Sequence, residues 1–237
     1  KITPVRILAS GDVLLDTVEL RANTQRAEVW LRKKTPAPEN ASTPPAPNLL
    51  TNDDNEAEET GLKYIVQGDL IQIQLAQKDG KHILQEALIK DKLVLRQVSS
   101  SPGGRSPFVL HGTGVSLKRD LAGLFEMTLT GNSDRGQPAW IAFEEFQISG
   151  NQISLNQQQN LMWIKGAGEI VFSPLDTATA TQARRISWQE QMAFDGSQIE
   201  LFGNVKTRGQ FATNEETTFD LTLDCGVLRG YLTRRVN

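Results

Sequence analysis

Apolar and polar residues alternate along most of this chain, and that period of two constrains the fold more than any other feature. Apolar residues recur at every second position in Val13-x-Leu15, Ile71-x-Ile73-x-Leu75, Leu93-x-Leu95 and Val115-x-Leu117. The pattern continues in Met127-x-Leu129, Ile153-x-Leu155, Met162-x-Ile164, Ile199-x-Leu201 and Leu221-x-Leu223. Many intervening positions are polar: Gln72, Gln74, Ser116, Thr128, Ser154, Glu200 and Thr222. Such alternation turns one face of a sheet toward a core and the other toward water. Many short strands at spacings of roughly ten residues, broken by Gly and Asn, predict an all-β sandwich, barrel or jelly-roll. The stretch from Arg185 to Phe194 reads as a strand through Ile186, Trp188, Met192 and Phe194, although Gln189-Glu190-Gln191 suits a helix equally well.

Three segments read as loops. Arg32 to Thr60 holds Pro36, Pro38, Pro44, Pro45 and Pro47 and then the acidic run Asp53, Asp54, Glu56, Glu58 and Glu59. It cannot bury enough apolar surface to offset its ordering entropy, so residues 32–60 are expected to be disordered. Ser99 to Pro107 is dense in turn formers, and Ser173-Pro174 to Thr181 is rich in Thr and Ala. The expected organisation is one β domain over 1–237, or two fused units, 1–101 and 107–237, meeting near Pro102–Pro107.

Composition narrows the chemistry. The chain has 237 residues, 25 Lys+Arg against 28 Asp+Glu, and a net charge of -3. That balance argues against nucleic acid, which needs a basic footprint. Two histidines and one cysteine leave no material for a His/Cys zinc cluster and few bases near neutral pH. No metal or cofactor is expected. Cys225 has no partner for a disulfide and reads as a small residue packed in a strand. No stretch approaches the roughly 20 apolar residues of a membrane helix. The chain begins Lys1-Ile2-Thr3-Pro4, as expected of a mature form or an excised segment, so a missing signal peptide or anchor carries no information.

The candidate catalytic motifs are weak. Gly112-x-Gly114 and Gly166-x-Gly168 lack the third glycine and following helix of a nucleotide loop and read as strand corners. His82 is placed in a turn and His111 at a strand end, neither as a base. Glu144-Glu145 are adjacent in a strand, so their side chains point to opposite faces and cannot flank one glycosidic bond. Glu215-Glu216 fall in a turn, and an inward Glu190 or Glu144 is the remaining way to pair carboxylates across a groove. Trp30, Trp140, Trp163 and Trp188 lie on four separate strands, as core packing or as a sugar-stacking platform. Arg184-Arg185 and Arg234-Arg235 flank strands, as solvated ends or as sites for an anionic headgroup. The expectation is a protein that is not an enzyme.

A loose repetition overlies the strands. Gly11-Asp12-Val13, Gly68-Asp69-Leu70 and Gly203-Asn204-Val205 each place a glycine, a short polar residue and a branched aliphatic at a strand start. The expectation is a strand, a corner where Gly supplies φ > 0 or a bulge, then another strand.

The segment from Ala183 to Val205, Ala-Arg-Arg-Ile-Ser-Trp-Gln-Glu-Gln-Met-Ala-Phe-Asp-Gly-Ser-Gln-Ile-Glu-Leu-Phe-Gly-Asn-Val, resembles the OstA-like family. These are the periplasmic lipopolysaccharide-transport proteins of the LptA and LptC type. Gly11-Asp12-Val13 with Val18-Glu19-Leu20-Arg21-Ala22, and Val66-Gln67-Gly68-Asp69-Leu70-Ile71, are similar to the same unit. The resemblance implies an elongated antiparallel β-jelly-roll, open like a taco, in the periplasm or cell envelope. Its apolar interior would hold the acyl chains of lipopolysaccharide or another acylated lipid. Lipid-groove candidates are Val13, Leu15, Ile71, Ile73, Val115, Leu117, Met127, Leu129, Ile153, Leu155, Met162, Ile164, Ile199, Leu201 and Val205, with Arg184 and Arg185 as headgroup candidates. It further implies edge-to-edge contacts with other jelly-roll envelope proteins or with further copies, through the strands around Ile7–Leu15 and Phe219–Leu223. A carbohydrate-binding or adhesin-like β-sandwich and a structural scaffold module remain open as alternatives.

Overall fold

The computed structural model describes residues 6–16, 20–32, 63–78, 81–98, 108–119, 124–143, 146–172, 184–212 and 218–231. Of these, 88% lie in strands and none in an α-helix. Of the loop expected over 32–60, Arg32 instead ends a strand and 33–60 fall outside the described residues, as do the expected loops over 99–107 and 173–181 and Glu144, Glu145, Glu215, Glu216, Arg234 and Arg235.

The thirteen strands are β1 (Arg6–Asp16), β2 (Leu20–Arg32), β3 (Lys63–Lys78), β4 (Lys81–Val98), β5 (Val109–Arg119), β6 (Phe125–Thr130) and β7 (Ala139–Phe143). They continue as β8 (Phe146–Asn156), β9 (Leu161–Phe172), β10 (Arg184–Trp188), β11 (Gln191–Phe194), β12 (Gln198–Ala212) and β13 (Thr218–Tyr231). All belong to one sheet, in which neighbours in sequence are neighbours in space. β6 and β7 pair successive stretches of β5 and β8, and β10 and β11 do the same with β9 and β12, so each pair acts as one interrupted strand. The sheet runs without a break through the boundary expected near Pro102–Pro107, since Leu95 pairs with Leu110 and the amide of Gln97 donates to Phe108 O.

The sheet is mixed rather than purely antiparallel. β2 and β3 pair in parallel, Leu20 with Tyr64 through Arg32 with Ala76, and every other pairing is antiparallel. A parallel pair needs a long crossover, and the segment between Arg32 and Lys63 is long enough to supply one. Alternation cannot distinguish the two directions, because a strand read either way presents the same faces.

The glycine corners also differ from expectation. Gly11, Gly68 and Gly203 lie inside long strands rather than at strand starts. They mark bulges: register shifts fall between Ser10 and Val13, Gln67 and Leu70, Lys90 and Leu93, Gly150 and Gln152, and Phe202 and Val205. Gly11 (φ 101°), Gly166 (φ 84°) and Gly203 (φ 80°) take the left-handed region, where a Cβ is strained. These interruptions are aligned. Through the pairing they run from Gly11-Asp12 across Gly68-Asp69, Asp91-Lys92, the Gly131–Pro138 excursion, Asn151, Gly166-Ala167 and Gln189-Glu190 to Gly203-Asn204. The excursion holds the short 3-10 helix Ser133–Arg135, capped by the Asn132 side chain accepting from the Arg135 amide.

The strand expected over Arg185–Phe194 exists but breaks at this line, into β10 and β11 either side of Gln189-Glu190. One hydrophobic cluster draws residues from both sides of the line, Leu110, Ile141, Ile148 and Ile170 from one and Leu129, Ile153, Ile164 and Leu201 from the other.

Candidate functional site

The expected groove residues share one face and fall into ordered rungs. One rung pairs Ala27, Ile71, Ile89, Val115, Leu129, Ile153, Ile164, Met192, Leu201 and Leu228 in turn across ten strands. The next runs Ile7, Val29, Ile73, Ala87, Leu117, Met127, Leu155, Met162, Phe194 and Ile199. Twelve of the fifteen candidates stand on these two rungs, while Val13, Leu15 and Val205 lie beyond the line of bulges. Strands with a period of two force this order, because each in-register neighbour must present the same face.

A third rung was only partly read in the sequence, where Leu15 is its one groove candidate and Leu95 and Ile186 stand as alternating strand residues. It pairs Leu15, Ala22, Val66, Leu95, Leu110, Ile141, Ile148, Ile170 and Ile186 on the other side of the line of bulges. Beyond it Phe143, Phe146 and Phe172 pair in sequence, with Phe108 edge-on to Phe143 at 5.3 Å and Phe146 4.7 Å from Phe143. Ile141-x-Phe143, Phe146-x-Ile148 and Ile170-x-Phe172 carry the same alternation, so the signal for this half was present.

The middle of the apolar face is closed. Leu129, Ile153, Ile164 and Val205 are wholly buried and Leu201 nearly so. Trp188 is buried with them, its indole N–H donating to Gly166 O at 3.1 Å. Ile73, Leu117, Leu155, Met162 and Ile199 are only partly buried. Toward the outer strands the face opens, with Ile7 on β1 49% exposed and Leu223 on β13 38% exposed. β1 and β13 end the strand order, and no pairing joins them among the described residues.

The two headgroup candidates separate. Arg184 pairs with Phe172 and shares a face with Ile186, at the margin of the apolar side. Arg185 points the other way and binds the Glu169 carboxylate at 2.9 Å. Strand alternation makes this split unavoidable for adjacent residues.

Glu190 is exposed in the break between β10 and β11 and packs against Gly203, rather than pointing inward. His111 lies within β5, not at a strand end, and stacks on Trp140. Trp30 and Trp163 are likewise half-buried, with the Arg6 guanidinium over the Trp30 ring. Glu28, 3% exposed, escaped notice in the sequence; Arg6 and Arg26 hold its carboxylate at 3.1 and 2.5 Å, and Gln72 donates to it at 3.4 Å. Burial alone would raise its pKa, but the hydrogen bonds and charges of Arg26 and Arg6 outweigh this and hold it below the usual carboxylate range. No group of His, Cys, Asp and Glu among the described residues is placed to hold a metal, and no helix there is long and apolar enough to cross a membrane.

Comparison with protein-family models, with curated proteins and with solved structures returns no match.

Proposed function

We propose that this protein is a non-enzymatic lipid-handling component of the cell envelope. The observation that carries the reading is the continuous apolar face, ordered in rungs across the sheet and exposed at two outer strands whose outer edges have no partner among the described residues. The aligned bulges support an open, taco-like jelly-roll bent along the glycine line, with that face inside. Acyl chains of lipopolysaccharide or a similar lipid lie along its open margins, each buried methylene contributing roughly 0.8 kcal/mol. They reach the closed centre only as side chains there give way. An unpaired edge offers a row of backbone donors and acceptors, so strand addition by another envelope jelly-roll or a second copy would extend the face from one protein to the next.

Native mass spectrometry of protein purified gently from a Gram-negative host, with lipid extraction of the same sample, tests this. A co-purifying acylated glycolipid, displaced by a fluorescent lipopolysaccharide probe, is the expected result. A protein that retains no acylated ligand and does not bind the probe overturns it. The closed centre favours one second reading, a scaffold module whose sheet edges mediate assembly around a filled core. That reading predicts edge-dependent oligomers with no lipid.

A further inference from the structure

The apolar face carries one hydroxyl with nothing to bond. Thr207 on β12 pairs with Ile186 of β10 on one side and Leu223 of β13 on the other, so it extends the third rung toward the open margin. It is 9% exposed, and its Oγ1 is buried without a hydrogen-bond partner. The other buried polar residues among those described are all bonded: Thr24 to Asp69 O, Glu28 to Arg6 and Arg26, Ser154 to Gln152, and Asn156 to Glu126. A buried hydroxyl left unpaired destabilises a fold, and a valine of the same shape would avoid that cost. Such a group has an explanation where a ligand completes the bond.

The surroundings of Thr207 suit the head end of an amphiphile. Leu223 is the last side chain of the rung and is exposed on the outermost strand, so the hydroxyl lies one strand from the margin. Gly209 is the next residue on the same face of β12, and the stem of Arg184 lies across it, 2.9 Å from where a Cβ would stand. The missing side chain at Gly209 thus brings a cationic residue to the same corner as the hydroxyl. Phe172, which pairs with Arg184, is also exposed there. Apolar side chains, one hydroxyl donor and a cation at the rim meet in that order of increasing exposure. We infer that this corner of the apolar face is the head-end subsite for an anionic acyl lipid. Thr207 Oγ1 donates to the ester or amide carbonyl nearest the head, Arg184 lies beside the anionic group, and the chain runs inward over Ile186 and Ile170. Leu223, at the edge of the sheet, gives way to admit it. The inference rests on the lipid reading above and adds an orientation for the lipid and a requirement for an acyl carbonyl.

Two lysophosphatidylglycerols of equal chain length test it, one a hexadecanoyl ester and one a hexadecyl ether, each titrated as monomers into the full chain by calorimetry. The wild type should bind the ester about three- to tenfold more tightly than the ether, the worth of one hydrogen bond. Thr207→Val should lose that preference, yet unfold in urea at a midpoint no lower than the wild type when no lipid is present. Arg184→Gln should weaken both lipids alike and keep the preference. Equal binding of ester and ether by the wild type, a preference that survives Thr207→Val, a loss of unliganded stability in that variant, or unaltered affinity in Arg184→Gln overturns the subsite and leaves the lipid reading standing. Binding of neither lipid also overturns the subsite, and the fluorescent lipopolysaccharide probe then decides the lipid reading separately.

Discussion

Gly168 sits directly beneath the Trp188 indole, its partner across the β9–β10 pair, and a methyl group there would overlap the ring. The same methyl would come within 2.6 Å of Ser149 O, so neither side can yield without moving a buried tryptophan or a backbone. Gly168→Ala is expected to destabilise the protein by about 1–3 kcal/mol, the usual cost of overpacking. Gly226, with open space around its Cα, is the control; Gly226→Ala should stay within about 0.5 kcal/mol. Urea unfolding of both variants checks the difference, and equal midpoints would contradict the packing described.

Ile153 stands in the middle of a ten-strand rung with no exposure, whereas Leu14 on the outer strand is 53% exposed. Ile153→Ala should therefore cost about 2–5 kcal/mol through lost burial and a residual cavity. Leu14→Ala should change stability by less than about 0.5 kcal/mol. Thermal and denaturant unfolding of the two truncations would show whether the middle of the face is as tightly closed as its burial indicates.

Acid should weaken the fold through Glu28. Burial raises its pKa, yet the Arg26 and Arg6 bonds prevail, so the folded protein holds this carboxyl below its ordinary value of 4.5. A carboxyl with a lower pKa when folded takes up protons more readily when unfolded, so its stabilising contribution is complete above the ordinary value. That contribution is lost as pH falls through the folded pKa. Asp195 behaves alike, held down by the Ser197 and Gln198 amides and the Ser197 hydroxyl. In a series of unfolding curves from pH 7 to pH 3, Glu28→Gln should be destabilised at neutral pH and show a shallower acid slope than wild type. An unaltered slope would remove Glu28 from the account.

The open ends of the apolar face make a further prediction. Ile7 and Leu223 lie on the outermost strands and are exposed although their rungs are buried further in. If copies associate through these edges, sedimentation velocity should show concentration-dependent species for the wild type. Ile7→Lys combined with Leu223→Lys should abolish them with little change in stability, because the edges are already solvated. Oligomers that survive both changes would place self-association elsewhere on the surface.

Much of the architecture is written in local pattern. Alternation at Ile153-x-Leu155 or Met162-x-Ile164 marks strands and the residues that must share a face, and the structure sets those residues on two adjoining rungs. Gly11-Asp12, Gly68-Asp69 and Gly203-Asn204 were legible as interruptions, at Gly11 and Gly203 because glycine tolerates a φ that other residues resist, although they prove to be bulges inside long strands rather than strand starts. Glu28 was not legible. An acidic residue between Ala27 and Val29 reads as a solvent-facing position, and it is Arg6 from β1 and Gln72 from β3, beside Arg26 on its own strand, that cover it.

The sequence by itself determined that this chain forms strands and which residues alternate. These follow from one residue's geometry and its immediate neighbours. Tertiary structure alone decided that β2 and β3 run parallel, that the bulges align into one line, and that the apolar face closes in the middle yet opens at β1 and β13. Each of these depends on partners distant along the chain, and a period of two is the same whichever partner a strand finds.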